Sequence, residues 1–119
     1  MITGVNIYSE QRIRDAAYAT VTMKKNLLHD WTLLRINFDW YSARVMIELE
    51  DLTSVKQTLI AECVCELHVP KMNEWGPSIS VNEIIEIDAP IGQRRRLNIE
   101  MQSGDVIRIV AEKIVLPFP

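Results

Sequence analysis

A hairpin pattern lies in residues 97–111, Leu97-Asn-Ile-Glu-Met-Gln-Ser-Gly-Asp-Val-Ile-Arg-Ile-Val-Ala111. Apolar side chains occupy every second position on both sides of Ser103-Gly-Asp105. Alternation with a period of two is typical of a half-buried strand, and a short glycine-containing segment between two such runs is typical of a tight turn. We therefore predict two antiparallel strands joined by a turn around Gly104.

The same alternation extends outward over most of the chain. It predicts a hairpin of strands over 31–40 and 43–49, a long strand over 57–69, and a strand over 79–87 that is interrupted near Glu83. Past Glu112 the apolar positions switch from odd to even numbers, which predicts a bulge or bend near Lys113. The predicted inward residues of these segments are Leu34, Ile36, Phe38, Trp40, Ala43, Val45, Ile47, Leu49, Leu59, Ala61, Cys63, Cys65, Leu67, Val69, Ile79, Val81, Ile85 and Ile87.

The N-terminal segment has a different period. Residues 9–26 carry small and apolar side chains at helical spacing, with Ser9 as a capping residue, which predicts a helix. The β-branched residues between Tyr18 and Met23 favour a strand instead. The predicted fold is mainly β (α+β), with an N-terminal helix and six or seven mostly antiparallel strands. They form a curved sheet or a small barrel-like sandwich in a single domain over residues 1–119.

Composition narrows the classes of function. The 119 residues include 13 Lys and Arg against 16 Asp and Glu, a net charge of −3, so the positive field of a nucleic-acid-binding protein is missing. The sequence has no signal-peptide pattern and no apolar run of membrane-crossing length. The two cysteines are too far apart along a strand to bond to each other, which favours reduced thiols in a cytoplasm. We expect no nucleic acid, membrane or cofactor as a partner.

Acidic and aromatic residues supply the first functional hypothesis. Glu48, Glu62 and Glu66 fall on the outward positions of two neighbouring strands and would form an acidic stripe if those strands pair. Trp75 lies in a turn, and Trp31 falls on the outward side of its strand, so either could anchor a partner. The hypothesis is partner binding through Glu48, Glu62, Glu66 and Trp75, and a solvated sheet face is the alternative.

A small-ligand or hydrolytic site is the second hypothesis. It requires the candidate side chains to converge on one concave pocket at the end of the sheet. Ser78 follows Trp75-Gly-Pro77, but position 80 is a serine, so only half of the glycine-flanked elbow of serine hydrolases is present. This favours a protein that is not an enzyme. The candidate residues of this site are His29, Asp30, Trp75, Ser78 and Asn82.

Two further clusters have alternative interpretations. Cys63, Cys65 and His68 have the spacing of zinc ligands, but on a regular strand His68 faces away from the cysteines, which favours two core thiols and no metal site. Residues 94–96 are three arginines, which could bind a phosphate or an acidic partner or could simply guard an edge strand.

Three stretches resemble a functionally unassigned family of small bacterial proteins. They contain Leu28-His-Asp-Trp31, Trp75-Gly-Pro-Ser78 and Met101-Gln-Ser-Gly-Asp105, and the segment before Leu28 lies outside the resemblance. The resemblance implies no activity, ligand or catalytic residue. In size and charge the chain is also similar to immunity proteins of toxin systems. We therefore predict a non-enzymatic, cytoplasmic bacterial protein that binds a protein partner as an immunity-type inhibitor or accessory subunit, with open sheet edges that also allow a homodimer.

Overall fold

A computed structural model of the protein describes residues 20–24, 27–88 and 94–118. These residues contain no helix of the length and apolarity needed to cross a membrane. Their seven strands are β1 (Thr20–Lys24), β2 (Thr32–Asp39), β3 (Arg44–Glu50), β4 (Lys56–His68), β5 (Val81–Asp88), β6 (Arg95–Met101) and β7 (Val106–Val115).

All seven strands belong to one antiparallel sheet with the order β1-β5-β6-β7-β4-β3-β2. Two meanders, β2-β3-β4 and β5-β6-β7, follow the chain, and the pairing of β4 with β7 joins them. The predicted hairpin around Gly104 is confirmed, since β6 and β7 pair in register from Leu97 with Ile109 to Glu100 with Val106. The prediction of a mainly β, antiparallel fold is therefore confirmed.

The sheet curls so that its two ends approach each other. Thr32 forms an isolated antiparallel bridge with Ser80, and the backbone N–H of Leu33 donates to the carbonyl oxygen of Ile79 at 2.8 Å. Ile79 and Ser80 lead directly into β5, which lies almost at the other end of the strand order from β2. The terminal strands β1 and β2 do not pair with each other, so the sheet is curved without being a closed barrel.

The concave face of this curled sheet contains the core. The predicted inward positions of β3, β6 and the first half of β7 are all buried, because these strands keep a strict alternation. Leu28, which lies before β2, joins them. The buried apolar residues are Leu28, Val45, Ile47, Leu49, Leu59, Ala61, Val64, Val81, Ile84, Leu97, Ile99, Met101, Ile107, Ile109, Ala111 and Ile114.

Strand β2 departs from the predicted alternation. Its pairing with β3 shifts register directly after Leu33, so Leu33 and Ile36 pack against the core. Leu34 and Phe38 are 38% and 37% exposed, and Trp40, predicted to be inward, is 84% exposed. The prediction for Trp40 is wrong because it lies in the turn beyond β2, where the alternation of the strand no longer sets its direction.

Strand β4 also departs from the predicted alternation. Cys63 and Cys65, predicted to be core thiols, are both exposed, and Val64 between them is buried. Cys63 has a φ of 54°, and the pairing with β7 shifts register between Val64 and Glu66. The irregularity moves the inward position from Cys63 to Val64, and after the register shift Leu67 packs against the core again, so the prediction is wrong for the two cysteines but not for Leu67. Val69, also predicted to be inward, is exposed.

Opposite that irregularity, strand β7 changes which of its positions face the core. Ala111 and Ile114 are buried, and Glu112 and Lys113 between them are exposed. The predicted switch of the inward positions from odd to even numbers is therefore confirmed, and it occurs between Ala111 and Ile114. Because Ala111 and Ile114 pair with Val64 and Ala61 of β4, both strands exchange their inward positions at the same place.

The interruption predicted near Glu83 is confirmed, because the pairing of β5 with β6 shifts register between Val81 and Glu83. After this shift, Ile84 is fully buried in place of its neighbour Ile85. The predicted inward residues of this segment that lie outside the core are Ile79, Ile85 and Ile87.

The helix predicted over residues 9–26 is wrong where the structure describes it. Residues 20–24 form β1, which pairs antiparallel with β5 from Thr20 opposite Asp88 to Lys24 opposite Ile84. The β-branched residues of this stretch suit a strand, and pairing with the edge of β5 satisfies its backbone. The remainder of that prediction, residues 9–19, 25 and 26, lies outside the described residues.

Candidate protein-binding site

The turn between β2 and β3 presents two aromatic side chains to solvent. One carboxylate oxygen of Asp39, Oδ1, accepts hydrogen bonds from the backbone N–H groups of Tyr41 and Ser42 at 3.1 and 3.5 Å, which fixes the turn. Trp40 and Tyr41 are then 84% and 99% exposed. Water-exposed aromatic rings at a rigid turn are typical of residues that anchor a binding partner.

These aromatic residues border a cavity of about 410 Å³, which we call the hairpin groove. Phe38 and Trp40 meet edge to face along one wall, with their ring centroids 5.7 Å apart and an angle of 60° between the ring planes. The volume lies within the range of sites that hold small molecules or short peptide segments. The residues that line the groove are Phe38, Trp40, Ala43, Val64, Cys65, Glu66 and Leu67.

The groove exists because β4 is longer than its neighbour β3. Strand β3 pairs with β4 only over residues 56–61, whereas β4 continues to His68 with β7 on its other side. Beyond residue 61, the one backbone hydrogen bond between the β3 side and β4 among the described residues runs from Val64 N–H to the carbonyl oxygen of Ala43, at 2.8 Å. The last residues of β4 therefore have an open edge beside the aromatic turn.

Glu66 gives the groove its charge. It is exposed, and it is the one acidic or basic residue among those that line the cavity. The other lining side chains are apolar, apart from the thiol of Cys65. The groove therefore offers an apolar surface with a single carboxylate.

The other predicted acidic residues lie beside basic side chains. A carboxylate oxygen of Glu48 is 3.5 Å from Nε of Arg35, and Glu62 is the cross-strand neighbour of Lys113. Strands β3 and β4 do pair, as the stripe requires, but the charges along this face alternate in sign. Of the predicted partner-binding glutamates, the structure brings Glu66 to the groove.

Trp75, the fourth predicted partner-binding residue, packs on the turn between β6 and β7. A Cβ atom on Gly104, whose φ is 94°, would lie 2.8 Å from Cδ2 of Trp75. The backbone N–H of Trp75 donates to the carbonyl oxygen of Ser103 at 2.8 Å. One part of the indole ring therefore covers Gly104, while Trp75 as a whole remains 68% exposed. Trp31, the other candidate anchor, packs partly buried against the core.

Asp105 anchors the segment before Trp75. Its carboxylate accepts hydrogen bonds from the backbone N–H groups of Met72 and Asn73 at 2.8 and 3.1 Å, and from Oγ of Ser103 at 2.7 Å. The bond from Met72, followed by the bond from Ser103, lowers the pKa of the Asp105 carboxyl below its ordinary value. A stable carboxylate therefore holds the chain after β4 against the β6–β7 turn.

Some residues of the predicted ligand site lie close together. His29 Nδ1 is 2.8 Å from the carbonyl oxygen of Asn82, and the side-chain amide of Gln102 donates to Oδ1 of Asp30 at 2.6 Å. The amide of Asn82 donates to Glu100, so its side chain is turned to the neighbouring strand. These contacts join the chain before β2 to the start of β5 and to the turn after β6.

Ser78 does not join them. Its Oγ accepts a hydrogen bond from the backbone N–H of Ser80 at 3.1 Å, and it lines a cavity of about 190 Å³ whose lining includes Asp105 but not His29 or Asp30. A serine nucleophile requires a base within hydrogen-bond reach. The geometry of the described residues supports a structural role for this group of side chains.

The two remaining clusters are the Cys63, Cys65 and His68 group and the three arginines of residues 94–96. His68 contacts Arg108, with Nδ1 3.3 Å from Nη1, and no three His, Cys, Asp or Glu side chains in the described part of the chain could hold a metal ion. Arg95 lies 3.5 Å from a carboxylate oxygen of the buried Glu86. One of the three arginines is therefore engaged within the sheet.

Sequence reasoning missed the aromatic turn. Alternation along residues 31–40 predicts an inward Trp40, and it gives no role to Tyr41. The signal was present in Asp39-Trp-Tyr-Ser42, since side chains at the centre of a hairpin turn project beyond the sheet.

No family model matches the chain, and comparison with curated proteins and with solved structures found no match either.

Proposed function

We propose that the protein is a non-enzymatic binding protein that holds an extended segment of a protein partner in the hairpin groove. The observation that carries this proposal is the open edge of β4 beside the exposed Trp40 and Tyr41. An unpaired strand edge supplies backbone donors and acceptors, and a neighbouring apolar wall supplies side-chain contacts. In this role it would act as an immunity-type inhibitor or accessory subunit in a bacterial cytoplasm.

The length of the open edge sets the length of the bound segment. Residues 65–68 of β4 extend beyond the reach of β3 and span ~13 Å in an extended strand. A partner segment of about four to six residues would fill this length. Because the partner segment would pair with the open edge of β4 as an added strand, we expect it to be extended rather than helical.

The side chains of the groove set the composition of that segment. Phe38, Trp40 and Leu67 favour apolar side chains, and Glu66 favours a lysine or arginine next to them. The net charge of −3 adds a weak general attraction for a basic partner. We therefore expect a segment in which apolar and basic residues alternate.

Selection from a displayed library of short random peptides tests this proposal. Enriched peptides should alternate apolar and basic residues, and a fluorescein-labelled copy of the most enriched peptide serves as the probe for anisotropy titrations. Trp40→Ala should weaken its binding about tenfold to thirtyfold, as the loss of an aromatic anchor does at other interfaces. Glu66→Gln should weaken it a few-fold.

Two control variants make the same chemical changes elsewhere. Trp75→Ala removes another exposed tryptophan, and Glu48→Gln neutralises a glutamate that lies outside the groove. Both should bind the peptide as the wild type does. The proposal is wrong if the library yields no peptide above background, or if the peptide binds the Trp40→Ala variant as tightly as the wild type.

A further inference from the structure

Among the described residues, the outer edge of β2 is a second surface with unpaired backbone. β2 is a terminal strand of the sheet and pairs only with β3 along one side. Its other side is occupied as far as Leu33, which donates to Ile79. Beyond that point, residues 35–39 have no backbone partner on this side among the described residues. We call residues 35–39 the β2 free edge.

Charged residues occupy only the two ends of the β2 free edge, at Arg35 and Asp39, and the register shift of β2 lies directly before it. The edge contains neither proline nor lysine, the residues that most often prevent a second strand from pairing. Phe38, within the edge, and Leu34, beside it, are more than one third exposed. An edge of this kind is a template for another strand.

We propose that two copies of the chain pair antiparallel through their β2 free edges, with Asn37 facing Asn37 of the partner subunit on the two-fold axis. In this register Arg35 faces the partner's Asp39, and by symmetry this pair occurs twice. Ile36 faces the partner's Phe38 in the same way. The edge is therefore complementary to itself in both charge and hydrophobicity.

Other registers of the same symmetry lack this complementarity. Facing residues in an antiparallel pair project on the same side of the sheet, so the two-fold axis must pass between two copies of the same residue. Only axes at residues 36, 37 and 38 keep the paired segments close to the β2 free edge. An axis through Phe38 sets Arg35 against Tyr41. An axis through Ile36 sets Leu33, whose edge is already occupied, against Asp39.

The charged groups are available for these contacts. The side chain of Arg35 is 67% exposed, although it also lies near Glu48. Oδ1 of Asp39 accepts the hydrogen bonds of the turn, and Oδ2 accepts none from the described residues. Arg35 can therefore reach the partner's Asp39 while the aromatic turn keeps its geometry.

This inference does not rest on the proposed function. The dimer uses the backbone edge of β2, whereas the groove uses the edge of β4 and the rings of the turn, and Phe38 is a residue that both surfaces share. Each is tested by a different measurement, so either can fail alone.

Sedimentation velocity of the full chain over a range of concentrations is the first test, and we expect a reversible dimer. Disulfide trapping then tests the register in a Cys63→Ser/Cys65→Ser background. Two cysteines at the two-fold axis would have Cα atoms about 4.5–5.5 Å apart, within the range that a disulfide spans. Asn37→Cys should therefore cross-link about tenfold faster than Ile36→Cys or Phe38→Cys, which face other residues in this register.

A charge variant gives an independent readout that does not depend on cross-linking. Arg35→Asp sets like charges opposite each other at both ends of the paired edge and should weaken the dimer about tenfold. Arg108→Asp, the same change at an exposed position on β7, should leave it unaffected. The proposal is overturned if the wild type sediments as a monomer at every concentration, or if Ile36→Cys or Phe38→Cys cross-links fastest.

Discussion

Asp105 is the residue on which the path of the chain after β4 depends. No regular pairing holds Met72 and Asn73, so their backbone N–H groups depend on this one carboxylate. Nearby, Gly104 provides the positive φ and the open space over which Trp75 lies. At this scale, single atoms determine whether the loop and the β6–β7 turn stay together.

The Asp105→Asn variant tests the carboxylate. Hydrogen bonds lower the pKa of Asp105 from 3.8 in the folded state, so its contribution to the free energy of unfolding is present above that pH. It is lost as the pH falls through the lowered folded-state value. We expect the variant to be less stable than the wild type in urea at neutral pH, with a gap that narrows in acid. Glu112→Gln, an exposed control, should show no such gap, and a gap independent of pH would contradict the prediction.

Gly104→Ala tests the contact with Trp75. Its Cβ would lie 2.8 Å from Cδ2 of the ring, and alanine disfavours a φ of 94°. We expect a loss of about 1–3 kcal/mol in the free energy of unfolding. In a double-mutant cycle, Trp75→Ala should recover part of that loss, because it removes the close contact and leaves the backbone strain. Strictly additive losses would show that the ring can move aside freely.

At the scale of the element, β4 shows where alternation stops predicting burial. Leu59 and Ala61 are buried as expected, but after the irregularity at Cys63 the buried residue is Val64. A left-handed backbone at Cys63 moves the next inward position to Val64, and the register shift between Val64 and Glu66 returns Leu67 to the core side. The sequence gives little sign of this irregularity, because in Cys63-Val-Cys65 either the two cysteines or the valine could be the buried residues.

Thiol accessibility tests this change of the inward position. Both cysteines should react with Ellman's reagent in the native protein at a rate close to that of the unfolded chain, because both are exposed. Core thiols would react only after unfolding. A slow reaction that accelerates in urea would contradict the exposed positions.

Substitutions at Cys63 test the backbone conformation separately. Cys63→Val places a β-branched residue at a φ of 54° and should destabilise the protein by about 1–3 kcal/mol. Cys63→Gly, which adopts this φ without strain, should be close to neutral. Cys65→Val serves as the matched control, and an equal loss at both positions would contradict a special backbone at Cys63.

At the scale of the whole molecule, the curl of the sheet brings the start of β2 to the start of β5. Leu28 is fully buried at this junction, and its carbonyl oxygen accepts a hydrogen bond from the backbone N–H of Trp31 at 3.0 Å. The neighbouring Leu27 is 46% exposed. The same junction joins His29 to Asn82 and Asp30 to Gln102.

The two leucines form a matched pair for testing the junction. Leu28→Ala should cost about 2–5 kcal/mol of the free energy of unfolding, as other fully buried leucines do. Leu27→Ala should change it by less than about 0.5 kcal/mol. Chemical denaturation monitored by tryptophan fluorescence provides both values, and similar losses for the two variants would contradict the burial of Leu28.

The residue pattern was enough to predict the strands that alternate without a break. β3, β6 and the first half of β7, with the turn at Gly104, could be predicted because hydrophobic alternation and turn chemistry are local properties. The positions of the register shifts in β2, β4 and β5 became evident only from the folded sheet. Such slips accompany the curvature of a sheet whose ends meet, and that curvature depends on pairs far apart in the chain. The exposure of Trp40 has a different cause, because this residue lies in the turn beyond β2, and the hairpin groove beside it depends on β4 extending past β3, which is a pairing that no single strand's pattern reveals.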